Sequence, residues 1–439
     1  MADDIFPLDR RKLLAGLGAA LVIPTLSRTA TAQARPNLYL RARPGMAALR
    51  SGGAETPIWS LQASSPTTPR FKRGEPLEVT LENGLPVPVA MGWQGIDGVP
   101  AAEQLGARAV LAPGARESVT VRLRHAGTFL CDLRLLGDGR ERPSPALPLI
   151  VVESASAAVD RDETFLIEDW RLHPDGTAIA PGVDPKGTEP VTTINGQSSM
   201  DIPIRVNERL RLRFINGFQR NVIAVKIEAH DIRVMALDSQ PAEPFQARNG
   251  ALVLAPGGRV DVFIDGTAAP GSISEILVHD GKEARPIARL MTSNDKAVRL
   301  APLPSAPPLP SNGLPAQLDL KGASRFDLTL GGSQADWVWP THFAASAPPA
   351  FKVKAGRVVV LALTNRADIA TVFHLHGHHF RLLDRLDDGW KPFWLDTLAI
   401  EPGQTQRIAF SAEYAGRWLL ESMATDWAAP RLVRWYSVE

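Results

Sequence analysis

Short runs of alternating polar and apolar residues, separated by turns, are the feature that most restricts the fold of this chain. Clear examples lie at 77–81, 118–123, 209–214 and 358–363, and they are rich in Val, Leu, Ile, Phe and Thr. Alternation with a period of two is typical of β-strands with one buried face. Beyond the N-terminus no long run has the 3.6-residue period of a helix. The sequence therefore predicts an all-β protein built of sandwiches.

A weak internal repeat predicts three such sandwiches. A strand followed by a turn with Asn occurs three times, at 79–84, 212–217 and 360–365. Each copy is followed by a Pro-Gly turn, at 113–114, 256–257 and 402–403. Prolines concentrated between 302 and 315 predict an extended linker. We therefore predict domains at 35–153, 154–299 and 319–439, with the linker at 300–318.

The first 34 residues have the order of regions found in an export signal. Arg10 and Arg11 form a twin-arginine pair, an apolar stretch covers 13–26, and small residues surround Ala32 and Ala34. We predict a twin-arginine signal peptide at 1–34, cleaved after Ala32 or Ala34, which directs a folded protein to the periplasm. The alternative is an ordinary basic amphipathic helix.

Composition excludes several classes of function. The 48 Lys and Arg against 47 Asp and Glu leave a formal net charge of +1, so no global field draws the protein to nucleic acid. After the signal, no apolar run approaches the roughly 20 residues that a membrane span needs. The single cysteine, Cys131, excludes an internal disulfide framework and any zinc or iron–sulfur site built on cysteines.

The densest candidate chemistry is a histidine cluster. Four of the nine histidines lie at 374–379, namely His374, His376, His378 and His379. In an extended strand the first three would project to one face, where neutral imidazoles bind copper or zinc. The alternative is a polar strand whose histidines hydrogen-bond internally, and the motif alone does not choose between the two. His125 stands apart in the sequence, and we interpret it as structural or solvated.

The segment His-Leu-His-Gly-His at 374–378 resembles the third-domain signature of multicopper oxidases. Further fragments that resemble this family lie at 93–100, 126–129, 194–196, 254–262, 394–397 and 415–418. Together they extend over nearly the whole chain after the signal. The resemblance implies three cupredoxin-like Greek-key β-sandwich domains, in agreement with the repeat.

The resemblance also implies where copper ligands would stand. The family binds a three-copper cluster with eight histidines, and of those positions only His374 and His376 carry histidine here. The other cluster positions carry Gly92, Gln94, Asp132, Arg134, Glu421 and Met423. The positions of the blue-copper ligands carry Thr371, Ser422, Trp427 and Leu432, with Ser422 in the place of the cysteine. These residues would line a cavity between the first and third domains, where Arg134 is expected to pair with Glu421 or Asp132.

An exported three-domain chain without these ligands resembles the copper-free bacterial division proteins of the FtsP (SufI) group. We therefore predict a non-catalytic, monomeric periplasmic protein that binds or supports a protein partner in cell division or envelope integrity under stress. We expect it to need no cofactor. The alternative is a reduced copper protein, or a residual oxidoreductase, in which His374, His376 and His378 bind copper.

Overall fold

The structure is a computed structural model, and it describes residues 36–64, 68–331, 336–384 and 389–439. The predicted signal, with Arg10 and Arg11, lies outside these residues. Within them, regular structure is almost entirely β, which confirms the all-β prediction. The helical segments of the described part are single 3₁₀ turns, at Pro100–Ala102, Arg134–Leu136, Arg248–Gly250 and Pro340–His342.

In the described residues, the first sandwich has eight strands. They are β1 Asn37–Ala47, β2 Thr56–Ala63, β3 Arg70–Lys72, β4 Pro76–Asn83, β5 Gly92–Gln94, β6 Arg116–Arg122, β7 Gly127–Asp132 and β8 Leu147–Val152. One sheet has the order β2-β1-β4-β6 and the other β3-β8-β7-β5. Leu40 and Leu77 from the first sheet meet Phe129 and Leu149 from the second in one apolar core, so the alternating runs bury one face against each other.

The second sandwich has twelve strands. They are β9 Arg161–Leu172, β10 Ala178–Ile179, β11 Glu189–Ile194, β12 Met200–Ile204, β13 Arg209–Asn216, β14 Ile223–Ile227, β15 Arg233–Leu237, β16 Gln240–Gln246, β17 Ala251–Leu254, β18 Arg259–Asp265, β19 Ile273–His279 and β20 Ala284–Thr292. One sheet is ordered β10-β9-β13-β18-β15-β16, with β11 also paired to β9, and the other β12-β20-β19-β14-β17. Phe165, Leu212 and Val262 pack against Val225 and Ile276 across the two sheets.

The third sandwich has nine strands in the part of the chain that the structure describes. They are β21 Ser324–Leu330, β22 Lys352–Val353, β23 Arg357–Asn365, β24 Thr371–Leu375, β25 Arg381–Leu382, β26 Thr397–Ile400, β27 Thr405–Ala412, β28 Gly416–Ala424 and β29 Arg431–Val438. The sheets are ordered β21-β23-β27-β25 and β22-β29-β28-β24-β26. Their shared core contains Leu361 and Phe410 from one sheet and Phe373, Trp418 and Tyr436 from the other.

The three asparagines of the repeat make equivalent hydrogen bonds, which confirms the repeat. Asn83 Nδ2 donates to the carbonyls of Val87 and Leu111 over 2.9 Å each. Asn216 donates in the same way to Asn221 and Leu254, over 3.1 and 2.8 Å. Asn365 donates to Ile369 and Ile400, over 2.8 and 2.9 Å. Each asparagine carbonyl oxygen also accepts from the glycine of the following Pro-Gly turn, namely Gly114, Gly257 and Gly403.

The proline-rich segment at 300–318 contains no strand and packs against the first two sandwiches. Asn312 Nδ2 donates to the carbonyl of Ala126 over 2.8 Å and to that of Ser239 over 3.1 Å. Arg209 donates to the carbonyl oxygens of Leu303 and Pro304. The segment is therefore a fixed connector, and the exact domain boundaries stay predictions.

Candidate functional site

The strands that carry the predicted ligand positions do come together. In the first sandwich β5 pairs with β7, so that Gly92 lies opposite Asp132. In the third sandwich β24 pairs with β28, which places His374 opposite Glu421. Residues of both sandwiches line one small cavity of about 20 Å³, between Gly92 and His376. A volume of that size holds one or two water molecules.

His376 is held between two carboxylates from different sandwiches. Its Nε2 lies 2.7 Å from Oε1 of Glu421, and its Nδ1 lies 3.1 Å from both carboxylate oxygens of Glu103. Carboxylate oxygens only accept, so both ring nitrogens carry a proton. Burial alone would lower the pKa of His376, but the two carboxylates outweigh it and raise the pKa to about 10. His376 is therefore an imidazolium at neutral pH.

The carboxylate of Glu421 also binds an arginine that the sequence analysis did not single out. Arg431 Nη1 donates to Oε2 of Glu421. Burial would raise the pKa of Glu421, but the nearby charges of Arg431 and His376 hold it well below its usual range. Arg431 is itself buried, and its backbone N–H donates to Asp138 of the first sandwich. A chain of alternating charges thus crosses from the third sandwich to the first.

The same chain of charges continues into the second sandwich. Arg220 lies 2.6 Å from Asp138 through its Nη2. Its Nη1 donates to the carbonyl of Gln219 over 2.9 Å and lies 3.8 Å from Sδ of Met423. Met423 therefore lies against a guanidinium group. We call the set Glu103, His376, Glu421, Arg431, Asp138 and Arg220 the interface network.

Arg134 does not pair as expected. Its guanidinium group binds the carboxylate of Glu168 in the second sandwich and donates to the carbonyl oxygens of Ser144 and Gly217 over 3.0 and 2.8 Å. Asp132 instead accepts from the backbone N–H of Arg134 over 3.0 Å. The prediction that Arg134 pairs with Glu421 or Asp132 through its side chain is wrong. The guanidinium group of Arg134 binds Glu168 instead, and Glu421 binds Arg431.

His374 keeps one free ring nitrogen. Its Nδ1 donates to the carbonyl of Asp396 and to Oγ1 of Thr397 over 3.0 Å each. Its Nε2 is buried and has no hydrogen-bond partner among the described residues. Burial lowers the pKa of His374 to about 4, so the ring is neutral. Its centroid lies 4.8 Å from that of His376.

The side-chain amide of Gln94, from the first sandwich, lies against Gly257 of the second sandwich. A Cβ on Gly257, at φ +82°, would lie 2.3 Å from Nε2 of Gln94, so only glycine leaves room for this amide. The amide of Gln94 therefore lies where any side chain at position 257 would begin.

His378 does not join His374 and His376. The strand β24 ends at Leu375, and Gly377 at φ +76° turns the chain. His378 Nδ1 donates to the hydroxyl of Tyr436 over 2.8 Å, while its Nε2 accepts from the backbone N–H of Tyr414 over 3.2 Å. The expectation that the three side chains share one strand face is wrong, since the strand is too short.

The residues at positions where the resemblance places blue-copper ligands are packed as ordinary core or turn residues. Thr371 Oγ1 donates to Asn365 over 3.1 Å, and Ser422 is buried opposite Phe373. Trp427 Nε1 donates to the carbonyl of Ala180 over 3.2 Å. Leu432 packs against the third core.

The single cysteine is buried in the first sandwich. Cys131 Sγ lies 3.6 Å from the carbonyl oxygen of Leu147, and burial raises the pKa of the thiol, so it is not a thiolate at neutral pH.

Two models of the multicopper oxidase family match the chain, at residues 161–272 and 317–439. Together with the all-β fold of three sandwiches, they show that the chain belongs to the multicopper oxidase family.

Two curated relatives are similar in sequence. The multicopper oxidase MmcO of Mycobacterium tuberculosis is 24% identical over 249 residues, which cover 53% of this chain and 47% of the relative. The iron transport multicopper oxidase fio1 of Schizosaccharomyces pombe is 23% identical over 394 residues, which cover 74% of this chain and 62% of the relative. The chain thus spans about half to three-fifths of the length of the curated relatives it matches.

Solved structures agree on the fold. A multi-copper oxidase from Pseudomonas thermotolerans superposes with a TM-score of 0.77 at 23% identity, over 92% of this chain and 99% of that one. Lac15 from a marine microbial metagenome gives 0.74 at 23% identity, over 92% and 100%. The described part of the chain contains no helix long and apolar enough to cross a bilayer.

Proposed function

We propose that this protein is an exported member of the multicopper oxidase family that has lost copper-dependent oxidation. In this proposal it acts as a monomeric binding or scaffold protein in the periplasm, where it supports a protein partner in cell division or envelope integrity under stress. The observation that carries the proposal is the position of His376, held as an imidazolium between Glu103 and Glu421.

The residues at the family's copper positions do not fit the family's three-copper cluster or its blue-copper site. The family's copper ligands are neutral imidazoles, each with a free lone pair, and a cysteine thiolate. Each ring nitrogen of His376 is bonded to a different carboxylate, and Ser422 supplies a hydroxyl where the family has a thiolate. Arg431 adds a buried positive charge on the neighbouring strand, and positive charges oppose a cluster of cations. No oxidation step is therefore assigned to these residues.

The interface network supports the scaffold proposal because it can replace the cross-link that a metal cluster supplies. It contains residues of all three sandwiches, and its ionic contacts are buried. A chain with fixed sandwiches and no redox centre is suited to presenting a rigid surface to a partner.

A test of the first half of the proposal is a search for oxidase chemistry. The purified protein is incubated with copper, desalted, and examined for the charge-transfer band of a copper–thiolate bond and for oxidation of phenols or ferrous ions. We expect neither above the rate given by the same amount of free copper. A copper-dependent turnover that survives desalting would contradict the proposal.

The scaffold role is tested by complementation in the producing bacterium. We expect a deletion strain to show division or envelope defects under stress, and His374→Gln to restore growth as well as the wild type. The export variant Arg10→Lys with Arg11→Lys should fail. A deletion strain without any such defect would contradict the proposed role.

One observation favours a second candidate function. The buried Nε2 of His374 lacks a partner among the described residues, and a free imidazole nitrogen is a copper ligand. A reduced copper protein would then bind one ion there, and His374→Gln would lose both the bound copper and the complementation. Loss of complementation by a stable His374→Gln variant would favour this second function over the scaffold.

A further inference from the structure

A second group of titratable side chains lies outside the interface network. Asp97 follows β5, His125 precedes β7, and His379 follows β24, and all three are buried. His125 is therefore not isolated in the folded chain. Its ring centroid lies 5.8 Å from that of His379. The group joins the first sandwich to the third.

The three side chains have the spacing of metal ligands. Oδ2 of Asp97 lies 2.7 Å from Nδ1 of His379 and 3.5 Å from Nδ1 of His125. One donor atom from each residue lies within 4.8 Å of the other two. Tetrahedral ligands at the usual zinc–nitrogen and zinc–oxygen distances are about 3.4 Å apart. Only small side-chain shifts separate the present arrangement from that geometry.

The surroundings of His379 are those of a metal-binding histidine. Its Nε2 donates to the carbonyl of Asp238 over 2.7 Å, which directs Nδ1 toward Asp97. A ligating histidine typically donates its other ring N–H to a carbonyl or carboxylate, and that bond fixes the ring orientation. The backbone of the second sandwich thus holds His379 in the orientation that a metal ion requires.

Beside the three side chains lie the amide of Gln240 and a small cavity. Nε2 of Gln240 lies 2.9 Å from Nδ1 of His125 and 3.5 Å from Nδ1 of His379. A cavity of about 10 Å³ borders Asp97 and His379 and is closed on one side by Pro315 of the connector. That is at most the space of one water molecule, so a water there can serve as the fourth ligand of an ion placed between the three side chains.

We propose that Asp97, His125 and His379 bind one divalent transition-metal ion, with zinc as the occupant that the donor set suits. Two imidazoles and one carboxylate are common ligands of this class of ion. None of the three residues falls on a position that the family resemblance assigns to copper. The ion takes the place of the proton between Asp97 and His379, and it cross-links the first and third sandwiches without redox chemistry.

The test compares metal content and melting temperature. Protein stripped with a chelator is loaded with Zn²⁺, passed through a desalting column and analysed for zinc. We expect one zinc per chain in the wild type and a melting temperature raised by about 3 °C at a hundredfold excess over the dissociation constant. His125→Gln should lose both, whereas the matched variant His342→Gln, at an exposed histidine, should keep both.

A further variant separates this site from the family's histidines. His374→Gln should retain the zinc, because His374 bonds to Asp396 and Thr397 and lies outside the group. Zinc that is lost in His374→Gln and kept in His125→Gln would overturn the proposal, as would wild-type protein with no bound zinc. If His125→Gln fails to fold, X-ray absorption of zinc-loaded wild type decides. Two imidazoles with oxygen ligands would support the site, and any other set would overturn it.

Discussion

The ring of His376 donates from Nε2 to Oε1 of Glu421 over 2.7 Å. Both residues stand where the family resemblance places copper ligands. The pair belongs to a buried ionic chain, because Glu103 binds the other ring nitrogen and Arg431 binds the other carboxylate oxygen. Buried charges are costly unless each is paired and hydrogen-bonded. Positive and negative side chains alternate along this chain, so each buried charge has a partner of opposite sign. Ion pairs between side chains therefore hold the interface.

Removing the central carboxylate should destabilise the protein strongly. Glu421→Gln leaves Arg431 and the His376 imidazolium without their shared partner, and breaking a buried pair costs about 3–5 kcal/mol of unfolding free energy. Denaturant unfolding measures the change. The control is Glu401→Gln, at an exposed carboxylate, which should change stability by less than about 0.5 kcal/mol. A cost for Glu421→Gln as small as that of the control would show that the chain of charges does not hold the interface.

Stability should depend on pH through His376. Its folded pKa is raised from 6.5 to about 10, so the stability from the protonated ring is complete below pH 6.5 and is lost as pH rises toward 10. The pKa of Glu421 is lowered from 4.5, so its contribution is present above pH 4.5 and is lost as pH falls below that value. The free energy of unfolding, measured from pH 4 to 10, should therefore decline on the alkaline side. His376→Gln should decline less steeply there, and parallel curves for the two proteins would contradict the assignment.

Export should require both arginines of the twin pair. Replacing Arg10 and Arg11 by Lys keeps the charge but removes the guanidinium pair that marks this route. We expect the precursor to remain in the cytoplasm, folded and protease-resistant, while a variant with Lys at Arg35 alone is exported normally. Fractionation followed by immunoblotting measures the distribution. Normal periplasmic accumulation of the double variant would mean that the N-terminus is not a twin-arginine signal.

Much of the fold could be predicted from local pattern. The four alternating runs lie in β4, β6, β13 and β23. They could be predicted because the two-residue alternation of polar and apolar side chains is visible in the sequence itself. The histidine motif was less informative. Its strand ends at Leu375, and Gly377 turns the chain, so the side chains of His376 and His378 separate.

The partners of the site residues could not be predicted, because they come from distant parts of the chain. Glu103 lies 273 positions from His376, and no local spacing marks that contact. Arg134 meets Glu168 of the second sandwich, although the resemblance placed its position beside the third. Which carboxylate reaches which arginine depends on how the sandwiches pack, and strand periodicity carries no information about that packing.

The three repeat asparagines should contribute similar stability in their three sandwiches. Asn83, Asn216 and Asn365 are all buried. Each donates from Nδ2 to two backbone carbonyls, one four or five residues further along the chain and one from a distant segment. Substitution by Ala leaves these carbonyls without a hydrogen-bond donor, which lowers the free energy of unfolding by about 1–3 kcal/mol at each site. Denaturant unfolding of the single variants measures the change in free energy.

The control for the asparagine series is Asn294→Ala, at an exposed asparagine, with an expected change below about 0.5 kcal/mol. If the sandwiches unfold together, all three repeat variants should lower the denaturant midpoint of the same transition. A cooperative unit has one free energy of unfolding, so a loss of stability in any sandwich reduces it. If they unfold separately, each variant should lower only the transition of its own sandwich. A repeat variant as stable as the control would show that its asparagine is not equivalent to the other two.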